Sequence, residues 1–236
     1  MDKRLKRIIN KIKDESLRKK VADFLENPTI KIEDKTFSGL PLDVSPAGLS
    51  RHHSYAGGFI EHVVASTEIA LTLCKIVKKI YGGKVNQDYV VAGILLHDIF
   101  KPLTYVEREN GSYAMSSLGE RLDHLTLAVS ELIRRGFPLE VVHIVGAHHG
   151  YQAGPIGPKT IEALICHIAD LADSSLNGEV LRAARYLITK IVGEEPPAQL
   201  TAKEAFEIVY AKSVEGEDGV RKVFEKIKRK KPQSRV

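Results

Sequence analysis

An all-α helical bundle with one small β-hairpin insertion is the fold class the sequence predicts, on three observations. Apolar residues recur near a 3.6-residue period along most of the 236 residues. Aromatic content is only 6%, with no Trp, while Leu, Ile, Ala, Lys and Glu abound. The Asn-Gly pair Asn110-Gly111 sits between two short alternating runs. At 43% hydrophobic content the chain is long enough for one full core.

The elements follow in order. Leu5, Ile8, Ile9, Ile12, Leu17, Val21, Phe24 and Leu25 place an amphipathic helix over residues 3–26, which Asn27-Pro28 ends. Residues 28–50 lack periodicity and contain Gly39, Pro41, Pro46 and Gly48, which predicts a long irregular loop. From Ser50 the chain passes through Arg51-His52-His53 and Gly57-Gly58 into a helix running to Tyr81. Its apolar face is Phe59, Val63, Ala70, Leu73, Val77 and Ile80, and Gly82-Gly83 closes it. Asn86 caps a helix over 87–99, and Pro102 stops it. The runs between Pro102 and Leu118 form the hairpin, the one strand pair expected. Helices are then predicted over 119–135, 138–149, 159–176 and 179–192, with Gly154-Pro155 and Gly157-Pro158 making a rigid loop before the third. Thr201 and Glu204 form a capping box for a further helix, and a last helix starts near Asp218. The expected organisation is an N-terminal basic helix and loop (1–49) packed on a main domain (50–192), with a C-terminal helical extension and basic tail (193–236).

Charge is unevenly distributed behind a net +5. Residues 1–20 hold nine Lys or Arg against three acids and residues 221–236 hold eight against one, leaving 18 bases and 26 acids between them. Surplus acid around a pocket is offset by divalent cations, and basic ends suit a phosphate backbone, although solvated helix faces give the same counts. Cys74 and Cys166 fall inside helical apolar patterns and read as core thiols of a reducing compartment. No apolar stretch has signal-peptide or membrane-span character, so a cytoplasmic protein without a membrane partner is expected.

Chemistry concentrates at Leu95-Leu96-His97-Asp98-Ile99-Phe100-Lys101, where an imidazole and a carboxylate end an apolar run. An ionised Asp is costly to bury alone, and one cation satisfies both groups. Candidate ligands recur on five successive predicted helices: His62, then His97 with Asp98, then His124, then His148 with His149, then Asp170. Seven such groups, one or two per helix, point to a metal site.

The order His, His-Asp, Asp resembles the HD-domain metal-dependent phosphohydrolase superfamily over Ser50 to about Leu176. The wording is most similar to bacterial HD-domain 3′-to-5′ exoribonucleases: His52-His53 with Tyr55, Gly57-Gly58, Glu61-His62, Leu96-His97-Asp98 with Lys101, Leu122 to His124, His148-His149-Gly150, Glu162-Ala163, and Asp170 with Asp173. The resemblance implies that His62, His97, Asp98 and Asp170 hold a first metal, and that His124, His148 and His149 match the added histidines of two-metal branches, Asp98 bridging. It implies two divalent ions that activate hydroxide and clamp phosphate oxygens. Imidazole-rich donors suit Mn, Fe, Co, Ni or Zn.

Further roles follow from the same comparison. Lys101 is expected to place a cation near the phosphate, although Phe100 stands where the family commonly has Gly and its ring is expected to narrow the mouth or shift the lysine. Arg51 is expected to bind phosphate, and His52 and His53 to bind phosphate or protonate a leaving group, helix capping being the alternative. Asp173 orients a ligand or a ribose hydroxyl, and His167 supports the ligands. The implied activity is a phosphodiesterase acting on RNA 3′ ends or on small, cyclic nucleotides. Residues 1–49 are too few and too helical for the OB-fold domain such exonucleases usually carry; the basic ends substitute for it, or the substrate is small. The alternatives are a nucleotidase or (d)NTP phosphohydrolase, and a catalytically silent RNA-binding module.

Overall fold

The computed structural model describes residues 1–230, and the predicted basic tail beyond Lys230 lies outside them. The elements, in chain order, are α1 (Lys3–Ile9), α2 (Glu15–Glu26), β1 (Ile30–Ile32), β2 (Lys35–Phe37), α3 (Gly58–Lys79), α4 (Gln87–Leu96), α5 (Lys101–Thr104), β3 (Tyr105–Glu107), β4 (Tyr113–Met115), α6 (His124–Arg134), α7 (Leu139–Ala147), α8 (Gly150–Ala153), α9 (Ile161–Leu187), a π-helical turn (Ile188–Val192) and α10 (Ala202–Lys230). The molecule is all-α apart from two antiparallel two-stranded hairpins.

The centre of the bundle is α4. Every residue from Val90 to Leu96 is buried, so this helix has no polar face to offer water and is enclosed by α2, α3, α7 and α9. That enclosure carries His97 and Asp98, which follow it directly, into the interior. One core cluster joins Leu5, Ile8, Val21 and Phe24 to Phe59, Val63, Leu95, Leu96, Leu132 and Val145. Another joins the end of α9 to α10 through Leu181, Ile188, Ile208 and Phe224. Cys74 and Cys166 are buried free thiols. No helix among the described residues is long and apolar enough to cross a membrane.

Four local expectations change. The predicted helix 3–26 is two helices, because the Asp14 carboxylate caps α2 at the Leu17 N–H (2.9 Å) and Asp88 accepts hydrogen bonds from the N–H groups of Lys13 and Asp14. The predicted loop 28–50 contains the β1–β2 hairpin, registered Ile30 to Phe37, with Glu33 at φ +53° in the two-residue turn. Helix α6 starts at His124 rather than at 119, because Asp123 caps it at the Thr126 N–H. Helices 159–176 and 179–192 are a single helix, α9. Ser174, Ser175, Asn177 and Gly178 weaken its local propensity, but packing against α3 and the loop at residues 51–53 keeps it continuous. The capping box at Thr201 and Glu204 forms as read, and α10 kinks at Gly216 (φ +69°), two residues before the predicted start of the last helix.

Candidate metal centre

Five elements or their ends converge beneath one cavity. His62 comes from the second turn of α3, His97 and Asp98 from the end of α4, His124 from the first position of α6, His148 and His149 from the end of α7, and Asp170 from α9. His62, His97, Asp98 and His148 are no more than 1% exposed.

Hydrogen bonds fix the tautomers of three imidazoles. His62 Nδ1–H donates to Asp173 Oδ2 (2.7 Å), His97 Nδ1–H to the Ile94 carbonyl (2.8 Å) and His148 Nδ1–H to the Val145 carbonyl (2.7 Å). Each then turns its Nε2 to the same space, the atom left for metal ligation. His62 Nε2 lies 3.1 Å from His97 Nε2, 3.2 Å from Asp170 Oδ1 and 3.5 Å from Asp98 Oδ2.

The Asp98 carboxylate divides between two donor sets. Oδ2 faces His62 and His97, at 3.5 and 3.3 Å, and Oδ1 faces His124 and His148, at 3.3 and 3.6 Å. His149 completes the second set, its ring centroid 4.0 Å from that of His148. Lys101 Nζ approaches Oδ2 to 2.6 Å as an ion pair, out of hydrogen-bond alignment. Among the described residues, the buried atoms without a hydrogen-bond partner are the two Asp98 oxygens, His124 Nε2 and His148 Nε2. Such groups cost several kcal/mol each when left bare, about 1–3 for a neutral donor or acceptor and more for a charge. Divalent cations satisfy all four at once, so the residues fit a metal.

Protonation supports the same reading. Burial opposes a charge on His97, but Asp98 and Asp170 outweigh it and push its pKa up to about 9. His62 is likewise raised, its burial overcome by Asp170, Asp173 and Asp98. Burial would raise Asp98 and Asp170, yet Lys101 and His97 around the first, and His62 and His97 around the second, hold both well below the usual carboxylate range. His148 and His149 are pushed down, chiefly by burial and then by neighbouring imidazoles. The acids attract positive charge and the outer imidazoles stay neutral, the state in which they ligate metal.

A cavity of about 800 Å³ opens above this floor. Of the residues singled out from sequence, Arg51, His52, Lys101, His148, His149 and Asp170 line it. Two do not. His53 is 3% exposed, at φ +44°, with its ring edge 3.6 Å from Asp173 and its N–H donated to Asn177; Asp173 is 6% exposed and turned to His62 Nδ1. Both stand behind His62, so His53 is turned away from the cavity in which a leaving group would lie, and Asp173 faces His62 as a ligand-orienting carboxylate rather than the cavity in which a ribose would lie. His52 borders the cavity, but burial, Lys101 and His62 hold it neutral, at about 3, which leaves it a hydrogen-bonding group rather than a proton donor. Phe100 does not narrow the mouth: its ring is fully buried, edge-on to Phe24 at 5.5 Å, and Lys101 beside it reaches Asp98.

Sequence reasoning missed the far wall of the cavity: Ser174, Gly178, Glu179, Arg182 and Arg185. The signal was present. Asp170, Ser174, Gly178 and Arg182 follow one another at i, i+4 spacing, one face of one helix, and splitting α9 after residue 176 hid it.

The HD domain family profile matches residues 59–175. The chain is 45% identical over 182 residues to dihydroneopterin 2′,3′-cyclic phosphate phosphodiesterase of Methanocaldococcus jannaschii, covering 77% of this chain and 72% of that protein. It is 28% identical over 188 residues to the 3′-5′ exoribonuclease YhaM of Geobacillus sp. (strain WCH70), covering 70% of this chain and 54% of that one. With YhaM of Listeria monocytogenes serotype 4b (strain F2365) the identity is 33% over 142 residues, 56% and 43% of the two chains. The chain thus spans about half the length of the exoribonucleases it matches. No solved structure matches it. With its ligand groups gathered at one focus and a relative of this identity over most of both chains, the chain belongs to the HD-domain family.

Proposed function

We propose that this chain is a metal-dependent phosphodiesterase that opens the 2′,3′-cyclic phosphate of a small ribose-bearing or ribose-like substrate. The observation that carries the reading is the divided Asp98 carboxylate, with its oxygens and the facing Nε2 atoms of His124 and His148 bare. His62, His97, Asp98 and Asp170 would hold one divalent ion, and Asp98, His124, His148 and His149 a second. The imidazole-rich donor set favours Mn, Fe, Co, Ni or Zn over Mg. Such ions supply an activated oxygen nucleophile and Lewis-acid polarisation of phosphate oxygens.

The chain's own residues do the rest. Lys101, nearly buried and held charged by Asp98 against the cost of burial, sets a fixed positive charge at the edge of the floor for a phosphate oxygen. His52 and Arg51 border the same opening, one neutral and half-buried, the other exposed, and are placed to bind the remaining oxygens of the ester. Asp173 and the Ile94 and Val145 carbonyls hold three imidazoles in the ligating tautomer. Within this reading residues 50–192 are the catalytic unit, with 1–49 packed on it and 193–236 extending it.

The choice of a cyclic phosphate follows the similarity to the phosphodiesterase of M. jannaschii, which is higher and covers more of both chains than that to the exoribonucleases. The test is hydrolysis by metal-reconstituted protein of 2′,3′-cyclic AMP, 3′,5′-cyclic AMP, a 3′-hydroxyl RNA oligomer and a dNTP. Opening of the 2′,3′-cyclic phosphate to a monophosphate, abolished by Asp98→Ala, is the expected result. Stepwise shortening of the oligomer alone would move the protein to the exonucleases, and release from the dNTP alone to the triphosphohydrolases. Absence of turnover with all six metals, Mg included, would overturn the catalytic reading.

A further inference from the structure

The metal-binding residues occupy one end of the cavity, and the proposed reaction uses only that end. Toward the other end α9 presents Ser174, Gly178, Arg182 and Arg185. At 1.5 Å rise per residue, Arg185 stands roughly 22 Å along the helix axis from Asp170.

Arg185 is half-buried and held by neutral acceptors only. Nη1 donates to the Ser50 carbonyl (2.8 Å) and Nη2 to Ser54 Oγ (3.0 Å), and among the described residues no carboxylate pairs with it. Its burial is therefore uncompensated and pushes its pKa down. The neighbouring Arg182 differs, being exposed and neutralised by Glu179. Arg51, across the cavity, is exposed and also without an ion pair among the described residues. Arg185 also forms part of the wall of a second cavity, of about 570 Å³, with Ser112, Tyr113, Tyr186 and Thr189, so open space borders it on two sides.

A half-buried guanidinium with N–H groups to spare and no acid beside it is a site for an anion, and its planar fork matches two oxygens of a phosphate. We propose that Arg185, with Arg51, binds a second phosphate of the substrate, remote from the one hydrolysed. The cavity then takes the cyclic-phosphate end of a short ribonucleotide chain, with an upstream phosphate at Arg185. A lone mononucleoside 2′,3′-cyclic phosphate has one phosphate and leaves this end unfilled. The inference rests on the phosphodiesterase reading of the metal centre.

The experiment compares 2′,3′-cyclic AMP with di- and trinucleotides ending in a 2′,3′-cyclic phosphate, each with and without a 5′-phosphate, on wild type and Arg185→Gln. In the wild type kcat/KM rises when the upstream phosphate is present, and the rise shrinks with added salt. Arg185→Gln lowers the ratio of kcat/KM for the phosphorylated chain over cyclic AMP by about tenfold, and Arg185→Lys recovers part of it. Because Arg185 also anchors residues 50–54, a loss shared equally by all substrates would make it a strut of that loop and overturn the inference. Should the wild type open no cyclic phosphate, the phosphodiesterase reading fails separately. Fluorescence polarisation of a labelled 5′-phosphorylated trinucleotide then decides the site: affinity lost in Arg185→Gln supports it, and equal affinity rejects it.

Discussion

The middle and the C-terminal end of α9 carry charge in opposite ways. Near its middle Asp170 Oδ1 faces the Nε2 atoms of His62 and His97, and Asp173 Oδ2 faces His62 Nδ1, with both carboxylates largely buried. Fifteen residues past Asp170, Arg185 lies half-buried beside Arg182, whose ion pair with Glu179 is open to solvent, 76% and 65% exposed. At the first, Coulomb interactions are strong, and the misplacement of one charge leaves others bare; at the second, water screens the pair. One helix thus links a floor that calls for cations to a rim that calls for an anion.

The contrast is broken most severely at Asp98. Asp98→Ala removes the carboxylate that faces His62, His97, His124, His148 and Lys101, and activity is expected to fall about 10³-fold or more, read as kcat/KM on a cyclic phosphate with circular dichroism to confirm folding. Asp173→Asn comes next. It leaves the ligand set intact but weakens the hold on His62 Nδ1, so metal affinity drops about 10- to 100-fold by competition titration, and excess metal restores turnover.

A smaller effect separates protons from metal at the floor. His97 stands at about 9 in the metal-free fold against its ordinary 6.5. A group raised on folding contributes stability that is complete below its unfolded value and gone above its folded one. The metal-free protein is therefore expected to lose melting temperature from pH 6.5 to 9, and saturating Mn to flatten the loss, because a ligating nitrogen carries no proton. Equal slopes with and without metal would remove His97 from the ligand set. The least effect belongs to the rim: Glu179→Gln is expected to change stability by less than about 1 kcal/mol in a urea titration, since its pair with Arg182 is exposed.

Much of the floor was legible in the chain. His62, His97, Asp98, His124, His148, His149 and Asp170 announce themselves because each interrupts an apolar helix with a group that cannot be buried alone. The rim was not, because arginines on a solvated face are unremarkable in sequence, and the serines and Gly178 that precede them imitate a helix end. His53, and the ribose alternative for Asp173, misled in another way. Their residue types suit catalysis, and only the packing of the loop at 51–53 on α9 turned them to the rear of His62.

By itself the sequence determined the helical class, the second hairpin excepted, and the identity of the groups at the floor, since periodicity and buried polarity are local properties that every residue carries along the chain. Tertiary structure alone decided which of those groups face the cavity and which stand behind it, where the long helix α9 continues, and that Arg185 is left without an acid. Those are matters of which distant segments touch, and the free energy that settles them arises from burial and pairing between elements far apart in sequence, not from any one stretch.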